Sequence, residues 1–370
     1  MQGLPAAIAD HAARLAGAPE PYRAVAVALA ALAAILFVAA AAVAVRRAWR
    51  RLAGAVRGVV GRRYEIYVME ASIEKLHADS PILRASWVSR IYLRGYILSK
   101  ILRIGGQGRA NLADLYSRMG FLAQDAAALS SRRWWRRIEA CMAMGLAGGR
   151  DHAALLRPLL DDRREAVRIA AARALARLDA PASAPGIIAA MPAASVWGAA
   201  RLADMVAGMG APAYEHVRKA IEDCTDPAQR ARLVDVVGKI GDTRGVSLLM
   251  GLLKDADQEI RIRAAKGLGI VPDRRSSVAL LRALVDASWE VRAQAAKSLG
   301  RIGDEETIAP LAACLEDRSW WVRYNSAYAL AALGATGKAE LERVVGAQEG
   351  FARDIAMQVL EMSAQGILDQ

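Results

Sequence analysis

Apolar and small residues recur at helical spacing through the last two thirds of the chain, and the pattern itself repeats every 31 residues. The segment SWEVRAQAAKSLGRIGD, residues 288–304, has a relative one step earlier, DQEIRIRAAKGLGIVPD, ending at Asp273. One step later stands SWWVRYNSAYALAALGA, ending at Ala335. Apolar positions three and four apart predict amphipathic helices, and a fixed period near 30 residues predicts a stacked repeat array. Seven units fit one template: a first helix, a glycine-centred turn, a second helix and a short acidic turn. The pair Leu299-Gly300 with the turn residue Gly303 sets the register. Its equivalents are Met144-Gly145 with Gly148, Leu175-Ala176 with Asp179, Val206-Ala207 with Gly210, and Val237-Gly238 with Gly241. They continue as Leu268-Gly269 with Pro272 and Leu330-Ala331 with Gly334. An eighth piece, FARDIAMQVLEM, follows one residue short of the period and reads as a cap. Small residues at these positions let neighbouring first helices approach, and glycine accepts the left-handed turn after a helix. No unit buries its apolar stripe alone, so stacking supplies the core.

The N-terminal part has a different pattern. Residues 24–45 form an unbroken run of 22 uncharged apolar residues, 12 of them alanine. As a helix it is about 33 Å long, enough for a hydrocarbon core of about 30 Å. A signal peptide would have an apolar core of about 7–15 residues, shorter than this one, so the run is expected to be a retained transmembrane helix. Only Arg14 and Arg23 precede it. Arg46, Arg47, Arg50, Arg51, Arg57, Arg62 and Arg63 follow, with no acid until Glu65. Positive charge stays on the cytoplasmic side, which predicts the N-terminus outside and the C-terminus inside. The expected domains are an extracytoplasmic tail at 1–23, the membrane helix at 24–45, a basic juxtamembrane region at 46–130 and the array at 131–370.

Within the juxtamembrane region a helix is expected to run from Arg46 to about Leu76, interrupted near Gly58 and Gly61. Ser80-Pro81 reads as an N-cap and first-turn proline opening a second helix that ends at Gly105-Gly106. No acid occurs between Pro81 and Ala113, and Arg84, Arg90, Arg94, Lys100 and Arg103 share the stretch with Trp87, Tyr92 and Tyr96. Three readings stand: a basic, aromatic helix lying on an anionic membrane surface with Arg46, Arg47, Arg50 and Arg51, a helix packing its apolar side on the first repeat with solvated arginines, or a contact with protein or nucleic acid.

The pattern VRxxAAxxLGxxGD followed by LLxxLxD resembles HEAT repeats, in the 31-residue form of bilin-lyase-type HEAT-like repeats. The resemblance covers about residues 131–370. It implies an all-α fold, a right-handed α-solenoid of about seven to eight helical hairpins, with the second helices on the concave side. It also implies a ladder in which Asp162, Asp255, Asp286 and Asp317 meet Arg168, Arg261, Arg292 and Arg323. Ala199 in place of arginine and Cys224 in place of aspartate break that ladder, and a looser joint or a local bend is expected there.

Charge sharpens the picture by its location. The net charge of +12 suggests nucleic acid, yet residues 46–109 hold 14 basic against 4 acidic groups, whereas residues 110–370 hold 34 against 32. The array is nearly neutral, so no nucleic-acid partner is expected. Three scattered cysteines and four histidines form no disulfide framework, metal spacing or nucleophile motif. The glycines at 105–108 follow a helix rather than a strand and read as a helix terminator. No catalytic residue, metal or cofactor is expected. Candidate partner-binding residues are Trp134, Trp289 and Trp320, which share one template position, with Ser288 and Ser319 as N-caps before two of them; edge packing against the previous repeat is the other reading of these rings. Arg157, Arg218, Met250, Arg282 and Arg343 on second helices vary in type between repeats, as a recognition surface or a solvated face would. The expectation is a single-pass membrane scaffold or adaptor in a bacterial-type inner membrane, its array in the cytoplasm. It would bind a protein partner, such as a membrane-bound enzyme or signalling subunit. A chromophore-lyase-like role, from the repeat resemblance, and nucleic-acid binding are the alternatives.

Overall fold

The structure, a computed structural model, describes residues 20–271, 273–347 and 350–366. Most of the expected N-terminal tail (residues 1–19) and the turn residue Pro272 lie outside these, as do the side chains of Arg23, Arg50 and Arg57. Among the described residues every regular element is a helix. The chain forms two compact units, residues 1–115 and 116–370.

In the first unit, α1 (Glu20–Ile73) is one helix of 54 residues, about 81 Å long. It corrects the expected interruption: neither Gly58 nor Gly61 takes a positive φ, and arginine, valine and alanine around them sustain the helix. Its second half buries Val60, Tyr64, Val68 and Ala71, one stripe at helical spacing. Ser80-Pro81 is also corrected. It opens only a short 3₁₀ turn, Pro81–Arg84, with no side-chain cap bond. The helix proper, α2 (Trp87–Ile101), starts at Ser86, whose hydroxyl accepts from the Ser89 N–H at 3.4 Å. Tyr96 on α2 donates to the Glu65 carboxylate on α1 at 3.0 Å. Burial and that bond push the phenol up to about 12. The unit boundary falls within α3 (Gly106–Arg118), and α4 (Phe121–Ala128) leads into the array.

The array repeats helical hairpins. First helices are α5 (Trp134–Ala147), α7 (Glu165–Leu178), α9 (Val196–Ala207), α11 (Pro227–Ile240), α13 (Gln258–Leu268), α15 (Trp289–Ile302) and α17 (Trp320–Ala332). Second helices are α6 (Ala153–Leu156, continued as a 3₁₀ turn), α8 (Ala180–Ala189), α10 (Tyr214–Asp223), α12 (Gly245–Leu252), α14 (Arg275–Ala283), α16 (Ile308–Ala313) and α18 (Gly334–Ala347). The last helix, α19 (Phe351–Ala364), packs on α17 and α18. Its buried Ala352, Ala356 and Val359 stand 30 residues after buried Val322, Ser326 and Ala329, so its contact register is one residue short.

Small residues set the helix spacing. A Cβ on Gly238 would lie 2.6 Å from the Gly267 Cα, and one on Gly300 would lie 2.7 Å from the Ala329 Cα. At α7–α9 and α9–α11 the equivalent pairs are Ala176 with Met205 and Ala207 with Val236, so bulk replaces close backbone contact. Gly241 and Gly303 take the left-handed turn, and Gly210 and Gly334 also have positive φ, with ψ at −153° in Gly210. Gly148 instead has φ −78° and ψ 164°, an extended exit in which a Cβ would lie 2.5 Å from the Met144 carbonyl oxygen.

The arginine–aspartate ladder has a definite geometry. Arg168, Arg261 and Arg292 each bond to their own repeat and to the next, whereas Arg323 bonds to the Asp317 and Arg318 carbonyls of its own repeat and rests over the Phe351 ring. Arg261 Nη1 donates to the Asp255 carbonyl at 2.9 Å, while its Nε and Nη2 grip the Asp286 carboxylate at 2.9 and 3.0 Å. Arg292 does the same with Asp286 and Asp317, and Arg137 closes a rung on Asp162. Arg230 meets Asp255 at 2.8 Å. Ala199 and Cys224 stand 25 residues apart, the spacing of a rung, so the two departures seen in the sequence are one missing rung. One joint earlier, Ala193 replaces the carboxylate and Arg168 donates to its carbonyl at 2.8 Å. There Glu165 takes over the turn, accepting from Ser195 N at 3.0 Å and from Ser195 Oγ at 2.8 Å. Arg168 Nε is left without a partner.

Candidate interaction surfaces

Four surfaces were expected to matter, and the structure treats them differently. On α1 the segment Ala31–Trp49 has a mean hydropathy of 1.9 and none of it is buried, so it is long and apolar enough to cross a membrane. Trp49 at its end is exposed, as are Arg46, Arg47 and Arg51. Tryptophan is favoured at a membrane–water boundary, and sequence reasoning had passed over it. The basic stretch farther on is partly engaged. Arg84 lies 3.7 Å from Asp79, and Lys100 sits 5.3 Å from the Tyr96 ring centroid. Arg90 and Arg94 are half-buried with interactions of their own, which leaves Arg103 exposed.

The tryptophans line up. Trp134, Trp289 and Trp320 begin their helices and are 42%, 40% and 44% exposed, so each ring has one covered and one open side. Ser288 caps α15 through its hydroxyl, which accepts from Val291 N at 3.4 Å, whereas Ser319 makes no side-chain cap bond. A second row was missed. Trp135, Trp197 and Trp321 share the next template position, and Trp197 is 82% exposed beside exposed Val196. The same 31-residue step reveals it.

The second-helix candidates are largely self-neutralised. Arg218 pairs with Glu215 and Glu222 on its own helix, Arg343 with Glu340, and Arg157 reaches Asp179 at 3.9 Å. Arg282 is exposed and Met250 half-buried. Two of the three cysteines are held in the thiol form. Burial, with Asp162 nearby, pushes the Cys141 thiol up to about 12, and burial raises Cys314 as well. Among the described residues no group of three or more histidines, cysteines or carboxylates could hold a metal ion.

A further surface, not among those expected, is the exposed side of the first helices. On α9, α11 and α13 it carries an ionic network: Lys239 bridges Asp204 and Asp235 at 2.8 and 3.0 Å, and Lys266 reaches Asp235 at 2.7 Å. Burial opposes ionisation of Asp235, but the Lys266 and Lys239 ammonium groups outweigh it and hold the carboxyl below its usual range.

The HEAT-repeat family profile matches residues 126–203, 214–288 and 277–361, more than half of the chain. The chain belongs to the HEAT-repeat family. No curated protein matches it. Among solved structures, an engineered protein is 18% identical, covering 79% of this chain and 87% of its own, with a TM-score of 0.35. Human deoxyhypusine hydroxylase in complex with glycerol is 17% identical over 74% of this chain and 97% of its own, TM-score 0.30. The complex of CpcE and CpcF of phycocyanin lyase from Nostoc sp. is 19% identical over 48% of this chain and 98% of that chain, TM-score 0.29. At these identities and TM-scores the likenesses say nothing of the chemistry of this HEAT-repeat protein.

Proposed function

We propose that this HEAT-repeat protein is a non-catalytic scaffold or adaptor, held at the inner face of a membrane by α1, whose array binds a protein partner. The partner is a subunit of a membrane-associated complex, an enzyme or a signalling component. The observation that carries the reading is the pair of tryptophan rows at the starts of the first helices. The charges of the frame are mostly spent on its own joints, while large aromatic rings stay open along one edge. Exposed aromatics of this size serve as binding anchors and are otherwise a solubility liability. HEAT repeats generally mediate protein–protein contacts, which agrees with this use of the edge.

Tethering rests on the exposed apolar segment Ala31–Trp49 and the arginines after it. Their position after the span favours a cytoplasmic array. The test is capture from detergent extracts with the full chain and with a chain lacking residues 131–370. A defined protein retained only by the full chain supports the scaffold, and capture indifferent to the array refutes it. Carbonate extraction of membranes tests the tether. The full chain is expected to stay with the lipid, and release into the supernatant would refute anchoring.

A further inference from the structure

The outer surface of the first helices changes character at α15 and α17. One template position reads Asp204, Asp235, Lys266, Lys297 and Tyr328 on successive helices. Lys266 has Asp235 behind it and is neutralised at 2.7 Å. Lys297 has Lys266 behind it and Tyr328 ahead, and it makes no ion pair among the described residues. Arg301, one turn farther along α15, makes none either, whereas its equivalent Lys239 holds two carboxylates. Both unpaired cations are exposed.

They line a groove of about 540 Å³ between α15 and α17. Its other side carries Tyr324, Asn325 and Tyr328, and Gly300, Ala329 and Ala332 complete the lining. The floor is low for a physical reason: Gly300 lets the two helix backbones touch at Ala329, so only long side chains rise beside it. The aromatic wall continues beyond the groove. Tyr324 stacks on Trp320 with centroids 5.0 Å apart and planes 17° apart, and Trp321 meets Trp320 edge-on at 4.8 Å. Asn325 Nδ2 donates to the Trp321 carbonyl at 2.8 Å and ties the wall together.

We propose that this groove binds an acidic peptide segment of the partner protein, its carboxylates on Lys297 and Arg301 and its apolar side chains on the Tyr328–Tyr324–Trp320 stack. The proposal deepens the scaffold reading and rests on it. Charge complementarity selects the occupant, because a pair of unpaired cations kept beside aromatic faces, next to helices on which Lys239, Arg263 and Lys266 are neutralised, suits a ligand bearing both anions and apolar groups. A nucleic acid would need a strongly basic track extending beyond one groove, whereas residues 110–370 hold 34 basic against 32 acidic groups.

The probe is a fluorescein-labelled dodecapeptide of the triplet Glu-Leu-Glu repeated, with glutamine-for-glutamate and lysine-for-glutamate versions as controls. It is titrated by fluorescence anisotropy against the full chain in detergent. The glutamate peptide should bind, more weakly as salt rises, and the two controls should not. The double variant K297E/R301E should weaken it by about tenfold or more, and Y324A/Y328A by about fivefold. K266A, whose lysine is already spent on Asp235, should change it by less than about twofold. Because Lys297 and Arg301 are exposed and unpaired, an unchanged circular-dichroism melt is expected for the first variant. Equal binding of the glutamate and glutamine peptides, or full binding by K297E/R301E, overturns the proposal. So does binding of heparin or anionic vesicles through these residues while the glutamate peptide fails to bind. Partner capture that depends on the array but survives K297E/R301E overturns the groove and leaves the scaffold standing. Capture indifferent to the whole array overturns the scaffold itself.

Discussion

Replacing Asp286 by alanine removes three bonds from one joint at once: two from Arg261, at 2.9 and 3.0 Å, and one from Ser288 N at 2.9 Å. Both charged side chains are only 15% exposed. Arg261 keeps its bonds to the carbonyls of Asp255 and Ala256 but loses every partner of Nε and Nη2. An exposed pair contributes about 0–1 kcal/mol, and breaking a fully buried one costs about 3–5 kcal/mol. This joint lies between those limits and nearer the second, so D286A should cost about 2–3 kcal/mol. Because stability in a repeat array is close to a sum of neighbour terms, the loss should be local. Hydrogen exchange on the full chain in detergent should show deprotection confined mainly to α13–α15, and urea unfolding should report the total. A double-mutant cycle with R261A should give a coupling of about 1 kcal/mol or more. The pair Arg275–Asp273, whose arginine is 69% exposed, is the control, and R275A should cost less than about 0.5 kcal/mol. If D286A costs no more than R275A, or couples to R261A not at all, the ladder is ornament and the account of the joints is wrong.

Other predictions follow the same physics. Burial opposes ionisation of Asp286 and Asp317, but hydrogen bonds from Arg261 and Arg292 outweigh it, so both carboxyls sit below their usual range. The folded array therefore binds fewer protons than the unfolded chain. This stabilisation is fully present above about pH 4 and is lost as pH falls through the lower folded values, and D286A/D317A should show a shallower acid dependence in urea titrations. Gly238→Val should force α11 from α13 and cost about 1–3 kcal/mol or more by urea unfolding, whereas Gly251→Ala, with open space around it, should be close to neutral. Gly303→Ala, at φ +73°, should cost about 1 kcal/mol in the same assay.

Much of this was legible before the structure because periodicity carries it. The 31-residue step placed each hairpin, and the alternation of Leu-Gly with Ala-Ala marked where first helices touch. What stayed hidden depends on pairs of positions rather than on single ones. Ala199 and Cys224 look like separate lapses until the 25-residue rung joins them, and Glu165 takes over a turn at a place no template assigns. The helix start at Ser86 was obscured by Ser80-Pro81, a strong local signal satisfied by one short turn. Trp135, Trp197 and Trp321 were within reach of the same step. The groove was not, because its distinguishing feature is the absence of a carboxylate opposite Lys297 and Arg301, which only the contacts of neighbouring helices reveal.

The most direct test of the scaffold is photo-crosslinking in intact cells from the tryptophan edge of the full chain, with a photoreactive residue in place of Trp197 or Trp321. The account predicts one discrete protein adduct at the membrane, absent when residues 24–45 are deleted. A folded, membrane-bound chain that gives only lipid adducts, or none, from both positions would contradict it.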